Sequence, residues 1–298
     1  MSQDIRDAFF EVVARVAIND KNIVILTNDM EVFALAEFRK QCQSRYIDVG
    51  VAEQNLINVA AGIASTGRKV IIFGLLSFIT ARAFEQIKLN VCAMRLPVVL
   101  VGIGPGLSFP FDGPSHHGVS DIGLMKLLPE LTILNPSDSS TAKRCAELAL
   151  SSNLPVYVRI DKGIHEHNFS NLIHLGGGFD ILKEPRDVNI IYTGTVYNQA
   201  TALLNKLQNS FQEVGLINLF QVKPLPDGIL KVIVESKTIY VIEENSKNSG
   251  LSSIIGDYIL ENQLSVKLVS VSLTEKTIFE YGDRDWLRDK YGLGEINY

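Results

Sequence analysis

The sequence predicts an α/β protein made of two parallel-sheet α/β domains in succession. Short runs rich in Val and Ile, apolar on both faces, alternate with segments of helical period. Strands buried on both sides belong to parallel sheets covered by helices. The alternation stops between about Asp161 and Asp187, where His, Asn and Gly gather and Gly176-Gly177-Gly178 occurs, and then resumes. The expected organisation is a first domain over 1–165, a linker over 166–187 and a smaller second domain over 188–298.

Each element has its own reason. Asp4 to Ile18 is amphipathic, with Ser2 or Asp4 placed to cap it. Strands are expected at Asn22 to Thr27, Tyr46 to Val49, Val70 to Phe73, Val98 to Gly102, Thr132 to Asn135 and Val156 to Ile160, because β-branched residues dominate these runs. Between them, Ala52 to Thr66, Ala81 to Arg95 and Asp138 to Ser151 carry apolar residues at three-and-four spacing. The second domain repeats the scheme: strands at Asn189 to Thr193, Val214 to Asn218, Thr238 to Glu243 and Val266 to Ser270, helices near Asn198 to Gln208, Pro226 to Ser236 and Gly250 to Asn262.

Composition narrows the function classes. A 298-residue chain with 46% hydrophobic residues can bury a sizeable core. Net charge is −5 with both signs interspersed, so neither nucleic acid nor an anionic membrane is an expected partner. The apolar runs are too short, or too broken by Gly and Pro, to span a bilayer. The opening lacks a basic-then-apolar leader, and Cys42, Cys92 and Cys145 are scattered without metal spacing. Reduced structural thiols and a cytoplasmic location are expected.

Open parallel sheets bind ligands at the carboxyl ends of their strands. Four segments follow predicted strands there: Asn28-Asp29, Gly50 to Glu53, Gly74 to Phe78, and Gly102 to His117. Glu53 sits in the first turn of the helix whose stripe is Leu56, Val59, Ala60 and Ile63. A first-turn acid serves the helix dipole or a site equally well. Phe78 and Phe84 can be core aromatics or, for Phe78, a ring-stacking surface. Gly102 to Gly106 follows a strand, but Pro105 removes a donor and no Gly-Lys-Ser/Thr follows, which argues against a nucleotide loop. His116 and His117 are adjacent, so they point apart, and no third ligand is spaced for zinc. Substrate contact or proton transfer by His116 is the better expectation, with His117 behind it.

Three of these segments, in order, resemble the transketolase family. Asp48-Val-Gly-Val-Ala-Glu53-Gln-Asn55 is similar to its NVGIAEQN-type segment, Phe78-Ile-Thr-Ala-Arg-Ala-Phe-Glu-Gln-Ile-Lys88 to its FATGRAWEQIR-type segment, and Asp112-Gly-Pro-Ser-His116 to its DGxxH turn. Tyr192-Thr-Gly-Thr, Val222-Lys-Pro-Leu, Ile242-Glu-Glu-Asn and Trp286 to Leu293 resemble the family's C-terminal domain. The resemblance implies a pyrimidine-binding fold for thiamine diphosphate followed by a transketolase C-terminal-like fold. It further implies that Glu53 activates thiamine diphosphate through the aminopyrimidine, that Phe78 stacks on that ring, and that Asp112 and His116 contact sugar hydroxyls. By the same match Arg159 and Arg6 bind a sugar phosphate, an anion suited to a planar guanidinium.

The sequence also departs from that pattern. Where long-form transketolases carry a histidine eight residues before the DGxxH aspartate, this chain has Gly104, and their phosphate-binding serine falls at about Phe33. The acceptor is thereby left open. The Gly-Asp-Gly segment and later Asn that hold diphosphate through Mg²⁺ in the family are missing from these 298 residues. The resemblance then implies a split enzyme: metal and diphosphate come with an N-terminal-half partner subunit, in an α₂β₂ heterotetramer acting on sugars or sugar derivatives. Alternatives are a β subunit of a 2-oxo acid or acetoin dehydrogenase, a deoxyxylulose-phosphate-synthase-like enzyme, and a non-catalytic regulatory or assembly subunit.

Overall fold

The computed structural model describes residues 3–165, 174–175, 177–209 and 213–294. In the first half, helix α1 (Ile5–Asn19) leads into β1 (Ile23–Thr27), α2 (Ala36–Gln41), β2 (Tyr46–Asp48), α3 (Glu53–Ala64), β3 (Lys69–Leu75), α4 (Phe84–Gln86), β4 (Val98–Ile103), α5 (Asp121–Lys126), β5 (Thr132–Leu134), α6 (Ser139–Ser151) and β6 (Val156–Ile160). Their strands lie parallel, and period-two side chains divide between the faces. Ile25, Ile71, Phe73, Val99 and Val101 face the layer of α1 and α6, whereas Leu26, Val70, Ile72 and Leu100 face α3 and the turns after β3. Both faces are covered, as the doubly apolar strands require.

The second half contains β7 (His174–Leu175), β8 (Phe179–Lys183), β9 (Val188–Thr193), α7 (Tyr197–Gln208), β10 (Gly215–Leu219), β11 (Gln221–Lys223), α8 (Asp227–Glu235), β12 (Thr238–Ser246), α9 (Leu251–Glu261), β13 (Lys267–Leu273) and α10 (Arg284–Arg288). Its six-stranded sheet runs β13-β12-β9-β10-β8-β7, parallel except for β8, which runs against both β10 and β7. Strand β8 falls inside the segment expected to be linker; its Phe179 and Asp180 are buried and it pairs with β10, so the second domain begins earlier than the glycine run suggests. Residues 166–173 and 176 of that expected linker lie outside the described residues.

The domains are interlocked. The first sheet is seven-stranded, in the order β11-β5-β6-β4-β3-β1-β2, and its edge strand β11 comes from the second half, antiparallel to β5. One hydrophobic core continues from Ile72 and Ile122 through Leu219 and Val222 to Ile229 and Val241. No helix among the described residues is long and apolar enough to cross a membrane.

The helix expected from Ala81 to Arg95 is not continuous. Wide turns over Phe78–Arg82 and Ile87–Cys92 flank α4, and Ala83 leaves helical geometry at φ −109°, ψ 20°. Wide π-type turns of this kind accumulate at functional sites, because they redirect side chains that a regular helix would stack. Here they turn Phe78 and Arg82 toward the carboxyl edge of the sheet.

Candidate active site

The site grows from the turn after β2. Asp48 ends that strand, and its Oδ1 accepts from the backbone N–H groups of Asp29 and Gly50, both at 2.9 Å. One carboxylate thus ties the loop after β1 to the loop after β2. Asp29 and Gly50 both adopt positive φ, 61° and 72°, a conformation that Gly and short polar residues tolerate. The chain then enters α3 with Glu53 as its first helical residue and no side-chain cap on the preceding Ala52.

Glu53 is buried, at 6% exposure. Asn28 Nδ2 donates to its Oε1 at 3.2 Å, and Arg82 Nη1 donates to the same oxygen at 3.3 Å. Among the described residues none donates to Oε2. Asn28 fits because Gly74 lies against it: a methyl group at residue 74 would run into Asn28 Oδ1 and Ile79. That amide oxygen is itself buried without a hydrogen-bond partner among the described residues. Such a group carries a cost and commonly marks a functional position.

The second wall is aromatic. The Arg82 guanidinium lies over the Phe78 ring, 3.7 Å from its centroid, so the same cation touches both Phe78 and Glu53. On its other side Phe78 meets the His116 imidazole edge-on, with centroids 5.0 Å apart. Phe109 follows at 6.3 Å from His116, and Lys162 Nζ sits 3.9 Å over the Phe109 ring. The loop that carries His116 is held by backbone pairing of Gly106 with Gly118, by His116 N–H donating to Gly113 O, and by Ser77 Oγ donating to Ser115 O at 2.9 Å. Ser115 Oγ lies 3.0 Å from His116 Nδ1 and orients the ring. Asp112 is exposed at the rim of this loop.

His117 points the other way, into the protein. It is buried, its Nε2 has no partner among the described residues, and burial together with the neighbouring His116 charge lowers its pKa.

The two arginines expected at a phosphate make no described contact with Glu53, Phe78 or His116. Arg159 is 2% exposed; its Nε donates to Asp121 at 2.9 Å and its Nη2 to the carbonyls of Gly118 and Glu244. Tyr157 donates to the same Asp121 carboxylate. The contacts to Gly118 and Glu244 hold the His116 loop against the second domain, and Nη1 has no hydrogen-bond partner among the described residues. Arg6 stands at the start of α1, its Nε 3.4 Å from Asp7, and no described contact joins it to Glu53, Phe78 or His116.

Behind the loop is an ionic cluster between the domains. Glu244 accepts from Leu107 N–H, Arg284 and Arg288, and Asp161 accepts from Ser108, Thr195 and Arg284. Burial pushes the Glu244 carboxyl up, but the two guanidiniums outweigh it and hold it at about 2. Asp161 is lowered by Arg284 against the same burial effect. Glu243 takes the N–H groups of Leu251 and Ser252, capping α9.

All four post-strand segments thus meet: Asn28 with Glu53 and Gly74, and Ser77 and Phe78 with the 115–116 turn. Asn28 and Arg82 were not singled out as site residues by sequence reasoning. Asn28 lies in a segment read as site-lining and Arg82 in the Phe78-to-Lys88 stretch that resembles the family, and only the fold brings them to one oxygen.

Two family models cover nearly the whole chain: the transketolase pyrimidine-binding domain matches residues 1–166 and the transketolase C-terminal domain matches residues 177–295. Among curated relatives, a 1-deoxy-D-xylulose-5-phosphate synthase of Clostridium tetani is 31% identical over 97% of this chain and 47% of its own length, so the chain spans about half of that relative. One of the subunits of an apulose-4-phosphate transketolase from Phocaeicola vulgatus is 28% identical over 89% of this chain and 86% of its own length. A solved structure described as a split-gene transketolase, inactive beta4 tetramer, superposes with a TM-score of 0.83 at 25% identity, covering 98% of this chain and 94% of that one. The transketolase of Campylobacter jejuni shares the fold at a TM-score of 0.76 and 11% identity, with 98% and 45% covered. With both domain models matched in order, and the acid, the aromatic ring and the histidine turn assembled at one sheet edge, the chain belongs to the transketolase family.

Proposed function

We propose that this chain is the pyrimidine-binding, C-terminal subunit of a split thiamine-diphosphate-dependent enzyme that moves a two-carbon ketol unit from a ketose donor to an aldehyde or ketone acceptor. The observation that carries the reading is the division of labour on Glu53. One carboxylate oxygen is held by Asn28 and, in this cofactor-free chain, also meets Arg82, and the other has no donor among the described residues, in a buried setting beside the face of Phe78. This fits an aminopyrimidine, which needs a flat apolar wall and a carboxylate at one ring nitrogen.

When bound, thiamine diphosphate would supply the acidic thiazolium carbon and the electron sink needed to break a bond beside a carbonyl. The residues of this chain do the rest. Glu53 shares a proton with the ring nitrogen through its unclaimed oxygen, and Phe78 packs the ring. His116, oriented by Ser115 Oγ, hydrogen-bonds a substrate hydroxyl, and Asp112 at the rim takes a second. Metal and diphosphate are assigned to an N-terminal-half partner subunit carrying Mg²⁺, in a cytoplasmic α₂β₂ assembly. Support comes from relatives described as transketolase subunits, including a 6-deoxy-6-sulfo-D-fructose transketolase subunit of Clostridium sp. at 29% identity over 97% of this chain. Sugar-phosphate contacts by Arg159, through its unpaired Nη1, and by Arg6 remain part of this proposal.

A second reading, decarboxylating condensation of a 2-oxo acid, is favoured by the likeness to deoxyxylulose-phosphate synthases. One experiment separates them. The chain is combined with its N-terminal-half partner, thiamine diphosphate and Mg²⁺, and assayed with ketose donors and with 2-oxo acids. Ketol transfer by the mixture, and by neither subunit alone, is expected; CO₂ release from a 2-oxo acid with no transfer from any ketose would replace the first reading by the second.

A further inference from the structure

The Arg82 guanidinium touches the two groups that the proposed function assigns to a bound aminopyrimidine, the Phe78 ring and the Glu53 carboxylate, the latter at Oε1 beside the open Oε2. It is flat, lies on the Phe78 ring at 3.7 Å and donates to Glu53 at 3.3 Å. The side chain is 51% exposed on a turn of π-type geometry, so it can swing outward without disturbing the core. Its backbone is fixed separately, since Gln54 Nε2 donates to Arg82 O at 3.1 Å. Asn28 also reaches Glu53 Oε1, so the carboxylate keeps a donor when the arginine leaves.

We infer that Arg82 is a displaceable stand-in for the cofactor's aminopyrimidine: it covers Phe78 and Glu53 in the cofactor-free subunit and is expelled when the ring enters. The inference rests on the proposed function and adds to it a residue that sets the threshold for cofactor entry. A flat cation on an aromatic face also keeps the apolar wall covered and the buried carboxylate paired until the ring arrives. The contact persists when the partner subunit alone is bound, because every group that holds Arg82 belongs to this chain.

The test uses the chain–partner assembly with arginine labelled at its side-chain carbons. Stacking on Phe78 shifts the Arg82 δ-methylene protons upfield, and the F78L variant identifies that signal. The expected result is that the upfield signal survives addition of the partner, is lost on addition of thiamine diphosphate with Mg²⁺, and that R82A binds the cofactor roughly 3- to 30-fold tighter in equilibrium dialysis, the range expected for one exposed ion pair plus one cation–π contact. R82K should fall between, since an ammonium pairs with Glu53 but does not lie flat. An upfield signal that persists with cofactor bound, one already lost with partner alone, or weaker binding by both R82A and R82K overturns the inference and leaves the proposed function standing. An assembly that binds no thiamine diphosphate, whatever residue 82 is, overturns both.

Discussion

Glu53→Gln keeps the size of the side chain and removes its capacity to exchange a proton, so the reconstituted enzyme should lose about 10²- to 10⁴-fold in kcat while the fold melts unchanged. Asn28→Ala removes a donor to a buried carboxylate, an interaction on the order of 1.5–3 kcal/mol, and should weaken thiamine diphosphate binding about tenfold or more in a direct titration. Gly74→Ala should do comparable damage from the other side of Asn28, because the added methyl occupies the space of its amide oxygen. If Gly74→Ala bound cofactor as the native chain does, Asn28 would not be positioning Glu53. Glu53, Phe78 and His116 were legible in the sequence as segment matches, since each sits in a stretch whose neighbours also carry the pattern. Asn28 was legible only as a residue after a strand. Its role depends on parallel pairing of β1 with β2 and β3, which sets residue 28 against residues 53 and 74. Arg159 was legible as a strand-end arginine, whereas its pairing with Asp121, thirty-eight positions earlier, was not.

At the scale of elements, the turn from β2 into α3 hangs on Asp48. Asp48→Ala removes the shared acceptor of the Asp29 and Gly50 N–H groups in an exposed turn, which should cost about 1 kcal/mol and lower the melting temperature by roughly 2–4 °C. The cofactor titration should suffer more than the melt, because both tied loops carry site residues. Strands such as β4 were readable because six consecutive buried apolar residues leave no other interpretation. The segment from Phe78 to Cys92 misled because Phe84, Ile87 and Val91 keep a helical spacing across turns that are not regular α-helix. A period of apolar residues reports which face is buried, not which carbonyl each N–H finds.

At the scale of the molecule, the cluster of Asp161, Glu244, Arg284 and Arg288 ties both domains to the loop that carries His116, and its charges set an acid limit on stability. Glu244 at about 2 lies below its value in an unfolded chain, and Asp161 is lowered as well, so the unfolded state binds more protons and stability falls as pH drops from about 4.5 toward 2. Glu244 alone should contribute on the order of 3 kcal/mol across that window, while Glu243, raised by burial, opposes it. Urea melts at pH 6, 4 and 3 should show a falling midpoint, and a midpoint independent of pH would show that the cluster is not ionised as drawn. Nothing in the local sequence around Glu244 announces this cluster, since its partners are forty residues away or in the other domain. The same limit hid β11, a three-residue strand whose partner β5 lies some ninety positions earlier. That late strand has a consequence for biosynthesis. The nascent chain cannot close the rim of its first sheet until Lys223 has been made, long after β6 is complete. A product terminated at the apparent domain boundary would leave the β5 rim bare, ready to pair with another copy, and should aggregate where the uninterrupted polypeptide does not.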